Sequence, residues 1–194
     1  MPKRRTDLVL SLLYAPDASG QFGSPILGVT RLVKLLFLLT IEGDLLSDAE
    51  EGERFNFKPY KMGPFSAEVY DDVDFLVSLG LVESRKVGLE RRLFKDEEPA
   101  AREELMHFFD EQILDKYQQQ ESPELDEPRE YRLTAKGKER AQAIFNSLPV
   151  KEREILVDYK SKWNHKPLKE LIREVYKRHP EYASRSEIKD YILE

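Results

Sequence analysis

Residues 28–44 read GVTRLVKLLFLLTIEGD, and residues 54–82 read RFNFKPYKMGPFSAEVYDDVDFLVSLGLV. From Val29 to Ile41 only Thr30, Arg31, Lys34 and Thr40 interrupt an apolar run. A helix that is apolar almost all round is stable in water only when neighbours cover it on several sides. The run is also shorter than the roughly 20 apolar residues a membrane-crossing helix needs. It therefore predicts a central core helix on which the other segments pack.

Downstream of it, Arg54 to Lys61 alternates aromatic and polar residues, the period of a short strand, with Pro59 at an edge or end. Gly63-Pro64 signals a turn, and Pro64 can open a helix. Ser66 to Gly80 then places Val69, Tyr70, Val73, Leu76, Val77 and Leu79 at helical spacing, with Gly80 as the C-terminal cap. On that helix Asp71 and Asp72 point away from the Val69, Val73 and Leu76 face, so both are expected in solvent. The Ser66 hydroxyl is expected to cap the first turn.

Upstream, TDLVLSLLYA (residues 6–15) predicts a one-sided helix capped by Thr6 or Asp7, and Pro16 to Pro25 reads as a loop. Downstream, LVESRKV is expected to pair with Arg129 to Leu133, and Thr134 to cap a helix reaching about Leu148. Helix, strand, basic hairpin, strand and helix in this order are the organisation of a winged helix. The fold class expected is mainly α with a small β hairpin: a winged-helix-like core, residues 1–148, carrying an acidic insertion at 88–128. A C-terminal helical extension follows at 149–194. Its apolar positions are Ile155, Leu156 and Tyr159, then Leu168, Leu171, Ile172 and Val175, then Ile188 and Ile192. Within the insertion, Leu105, Phe108, Phe109 and Ile113 give residues 100–117 a helical apolar stripe. Gln118 to Pro128 has the composition of a mobile tail.

The core helix, read as Thr-x-Leu-x-Lys-Leu-Leu (Thr30 to Leu36), is followed by a Tyr-x-x-Gly-Pro-Phe-Ser run (Tyr60 to Ser66). With Glu68-Val69-Tyr70 and the Leu-Gly-Leu-Val end of the second helix, residues 26–82 resemble the Panacea domain of SocA-type antitoxins. They are also similar to a related prokaryotic family with a Tyr-Gly-Pro-Tyr-Ser core. Lys61-Met62 separates Tyr60 from Gly63, where relatives often have Tyr directly before Gly-Pro. The resemblance implies a small cytoplasmic regulatory protein of the antitoxin or proteolytic-adaptor kind, whose partner is a protein such as a toxin or a protease system.

Composition narrows the chemistry. Cysteine is absent, which removes disulfides, thiol catalysis and cysteine-ligated zinc. His107, His165 and His179 lie far apart, no spacing suggests a metal site, and neither GxGxxG nor GxxxxGK[ST] occurs. Ser66 follows Gly-Pro-Phe outside any nucleophile motif. No enzyme, no cofactor and no metal is expected, and no membrane segment or signal peptide is read. The oligomeric state is left open, a homodimer included.

Charge separates the two functional readings. Residues 95–130 hold 4 basic and 13 acidic residues, a balance of −9 that leaves +3 on the rest of a chain whose net charge is −6. The alternative to a protein partner is DNA, held by a basic wing of Arg85, Lys86, Arg91 and Arg92 with Arg132 and Lys136 beside it. Against it, the helix that would read bases carries Glu68, Asp71, Asp72 and Asp74 and no Lys or Arg. For a protein partner the candidate surface is Phe55, Tyr60, Asp71 and Asp72, since aromatics anchor interfaces.

Overall fold

The computed structural model describes residues 4–86 and 129–194. The insertion at 88–128, with its apolar stripe, Arg91, Arg92 and His107, lies outside the described residues. The core helix, α2 (Val29–Ile41), spans the predicted run and is buried continuously from Thr30 to Leu39. Arg31 and Lys34, which interrupt the run in sequence, are buried with the rest.

The first helix, α1 (Arg5–Tyr14), departs from the one-sided reading. All six residues from Leu8 to Leu13 are buried, because α3, β5, α4 and α5, given below, surround it. Neither Thr6 nor Asp7 caps it; the cap position is Arg4, without a side-chain bond.

After the loop, β1 (Ile26–Leu27) leads into α2. The expected strand at 54–61 shortens to β2 (Lys58–Tyr60), which pairs antiparallel with β3 (Gly63–Phe65). The turn is therefore Lys61-Met62, and Gly63-Pro64 lies in a strand. Gly63 has φ +88, and a Cβ there would meet the Tyr176 ring at 2.6 Å. Glycine is needed for both reasons.

Helix α3 (Ala67–Ser78) ends at Leu79, followed by Gly80 at φ +65. Strand β4 (Val82–Lys86) pairs antiparallel with β5 (Arg129–Leu133), and Thr134 caps α4 (Ala135–Ser147), as read from the sequence. Strand β1 pairs with the other side of β5, giving the order β1-β5-β4. This is a winged-helix topology with the β2–β3 hairpin added between α2 and α3.

Beyond Leu148 come α5 (Val150–Trp163), α6 (Leu168–Arg178) and the short α7 (Lys189–Leu193). Helices α5 and α6 pack on α2, and their buried apolar residues join those of the N-terminal part in one cluster. Polar side chains stitch the same junction. Lys160, fully buried, donates to the carbonyls of Leu13 at 2.8 Å and Ser24 at 3.0 Å. Arg31 donates to the Trp163 carbonyl, and Asn164 Nδ2 to that of Pro25. At the far end of α2, Glu42 accepts from Tyr159, Arg178 and His179. No helix among the described residues is long and apolar enough to cross a membrane.

Candidate interaction site

Helix α3 stands where a winged helix presents its reading helix. Its inner face consists of Val69, Asp72, Val73 and Leu76, all buried. Its outer face exposes Ala67, Asp71, Asp74, Phe75, Ser78 and Leu79. Residues three and four apart share a helix face, so Asp71, Phe75 and Leu79 form one stripe, with Asp74 and Ser78 beside it. Phe75 is 53% and Leu79 44% exposed.

Asp72 corrects the expectation that both carboxylates face water. It is 7% exposed, and Arg5 grips it twice, Nε to Oδ2 at 2.8 Å and Nη2 to Oδ1 at 3.2 Å. The same guanidinium donates to the Gly52 carbonyl and lies 5.9 Å from the Phe55 ring centroid. Burial pushes the Asp72 carboxyl up, and the bond to Arg5 pulls it only part of the way back. Arg5, bonded to Asp72, is held more firmly charged than a free arginine. One ion pair thus ties α1, the segment at 51–53 and α3 together. Removing a single partner should cost more than removing both, because the survivor keeps its desolvation cost. Asp72→Ala is expected to lower stability by about 1–2 kcal/mol, and Arg5→Met with Asp72→Leu by less, measured by urea denaturation. Equal losses would remove this account.

Ser66 also differs from its reading. It occupies the cap position of α3, yet its hydroxyl donates to Glu68 Oε2 at 2.6 Å and accepts no amide. The hydroxyl proton is thus taken up by a carboxylate two residues along the same helix.

Beside α3 the β2–β3 hairpin carries an aromatic ladder, with ring centroids 5.1 Å apart for Tyr60 and Phe65 and 5.5 Å for Phe65 and Tyr70. Tyr60 and Phe55 are both half-buried; Phe55 packs on Phe57, which packs in turn on Phe37 of α2. Under the hairpin, Lys34 Nζ donates to the Pro64 carbonyl at 2.8 Å. Burial lowers this lysine to about 7. The space between Thr30, Lys34, Tyr60 and Tyr70 is about 10 Å³, room for one water-sized molecule and no substrate.

The basic wing is less open than the sequence suggests. Arg132 pairs with Glu83 across the strands at 2.7 Å. Lys136 donates to the Leu79 carbonyl at the end of α3. Arg85 and Lys86 are exposed on β4, where Arg85 stands opposite Glu130 and Lys86 opposite Arg129. Structure therefore brings Asp71 and the aromatic ladder to the region of α3, draws Asp72 inward, and commits Arg132 and Lys136 to internal bonds.

The chain matches no protein-family model, no curated protein and no solved structure.

Sequence reasoning missed Phe75, and it counted Leu79 among the apolar positions of the helix. The signal was present: Phe75 falls four residues from Asp71 and outside the spacing of Val69, Val73 and Leu76. Among the described residues, no group of three or more His, Asp or Glu is arranged to hold a metal ion.

Proposed function

We propose that this chain is a non-enzymatic regulatory protein, antitoxin-like, that binds a protein partner and neutralises or delivers it. One observation carries the reading. The helix in the reading position of a winged helix exposes carboxylates and two large apolar side chains, and has no cation along its length. Phosphate would be repelled there, whereas protruding apolar side chains are the usual anchors of protein interfaces. The Panacea-like motifs at Thr30 to Leu36 and Tyr60 to Ser66 support the same class.

The test is purification of the tagged full chain from its native host, followed by size-exclusion chromatography and mass spectrometry. A protein co-eluting in fixed stoichiometry is the expected result. Recovery of duplex DNA with no stable protein partner would overturn the reading.

A second reading, a DNA-binding regulator, is favoured by the winged-helix strand order and by Arg85 and Lys86 exposed toward the wing. It predicts duplex binding that weakens steeply with salt. That binding should be lost in the double change Arg91→Glu, Arg92→Glu. Salt-insensitive binding, or binding unchanged in the variant, excludes it.

A further inference from the structure

We infer that the outer stripe of α3 is the docking face for a protein whose matching surface is basic and has an apolar socket. This rests on the proposed protein-binding function and names the surface and the partner's chemistry. The apolar part is Phe75 and Leu79, one helical turn apart, both protruding. The sign of the partner follows from the rim. Asp71 and Asp74 are exposed beside the pair, and the described residues offer neither of them an ion pair. Among the described residues, the cations bonded to α3 and its C-terminal end are already engaged, Arg5 by Asp72 and Lys136 by the Leu79 carbonyl. Neither neutralises the outer carboxylates. Helix 67–78 contributes no Lys or Arg of its own.

A partner surface of like sign would leave these carboxylates facing negative charge, a juxtaposition interfaces avoid. A basic surface satisfies them and speeds encounter by steering. An apolar socket is required as well, because rim charges set rate and specificity while buried aromatic anchors supply most of the affinity. A second exposed apolar feature among the described residues, the open groove formed by Phe22, Phe145, Val150 and Val157, is flanked by Arg153, Glu154 and Asp158. Its mixed charge selects no partner of either sign.

Three synthetic peptides of equal length test the face against the full chain by isothermal titration calorimetry: amphipathic Leu/Lys, amphipathic Leu/Glu, and oligolysine. The Leu/Lys peptide is expected to bind tightest. Asp71→Lys with Asp74→Lys, and separately Phe75→Ser, should each weaken it at least tenfold. The same charge change at Glu50 and Glu51, both exposed and off α3, should leave it unchanged. Circular dichroism melts check that the variants remain folded. Equal weakening by the Glu50 and Glu51 changes, preference for Leu/Glu, or indifference to Phe75→Ser would each overturn the inference.

A cellular arm separates this failure from failure of the function. A photo-crosslinking residue at position 75 should label a basic segment of the co-purified protein, and one at position 150 should not. A partner that still co-purifies when Asp71→Lys, Asp74→Lys and Phe75→Ser are combined in one chain would defeat the docking face and leave protein binding standing. Absence of any protein partner of the unaltered chain would defeat the function itself.

Discussion

Gly137→Ala should destabilise the protein by about 3 kcal/mol or more, lowering the melting temperature by roughly 10 °C. The sign is the reverse of the usual result, in which Gly to Ala inside a helix stabilises by about 0.5–1 kcal/mol. The reason lies at the seat of α4. Thr134 Oγ1 accepts from the amide of Gly137 and donates to the carbonyl of Gly80 at 2.7 Å. Its own amide donates to the carbonyl of Leu81. This draws the first turn of α4 onto the corner between α3 and β4, so that a Cβ on Gly137 would lie 1.8 Å from the Leu81 carbonyl oxygen. Backbone cannot yield as a flexible side chain does. The helix would have to lift off, and α4 is the element packed most extensively on α1. Gly52→Ala is the control, since nothing lies within 4 Å of a Cβ there, and its effect should stay within about 0.5 kcal/mol. Thermal melts of the two variants decide the matter: a Gly137→Ala protein as stable as the parent would refute the close seating of α4.

Between pH 7 and about 9.5 the unfolding free energy should rise, and two buried lysines should account for the rise. Burial lowers Lys34 to about 7. Lys160 is likewise lowered by burial to about 7, with Asp17 opposing part of the shift. In the unfolded chain both return to the ordinary lysine value near 10.4. Across the window between these values the folded protein has released protons that the unfolded chain still binds, so raising the pH favours folding. Each lysine contributes a slope of about 1 kcal/mol per pH unit inside the window. Below pH 7 both states hold the proton and the contribution is flat. The window closes near pH 10, where unfolded tyrosines begin to ionise while burial keeps Tyr176 protonated to about 12.

Chemical denaturation at half-unit steps reads the slope directly. Lys34→Met should remove part of it. Lys160→Met should remove part and also lower stability at pH 9 by about 1–3 kcal/mol, because the Leu13 and Ser24 carbonyls lose their buried donor. A pH-independent parent, or a slope unchanged in the double variant, would show that these ammonium groups remain hydrated.

Much of the fold was legible because it depends on spacing along the chain. The bounds of α2, the pairing of β4 with β5 across a long insertion, and the Thr134 cap follow from apolar periodicity and local hydrogen-bond chemistry, which neighbours in sequence settle. The buried positions of α6 and α7 were read on the same grounds. The candidate site was legible only in part. Asp71 was placed outward correctly, but Asp72 was not, because its direction depends on Arg5, 67 residues away. Phe75 lies off the apolar spacing of α3, so its exposure was legible in the sequence, but the sequence reading assigned it no face.

What the sequence determined by itself is the set of elements and their order, together with a reading helix that carries acid in place of base. The tertiary structure alone decided which polar residues are drawn inside: Arg31, Lys34 and Lys160 leave water because backbone carbonyls from distant segments meet them, and Asp72 because the Arg5 guanidinium does. Burial of a charged group is settled by partners far apart in the chain, and no local pattern records them.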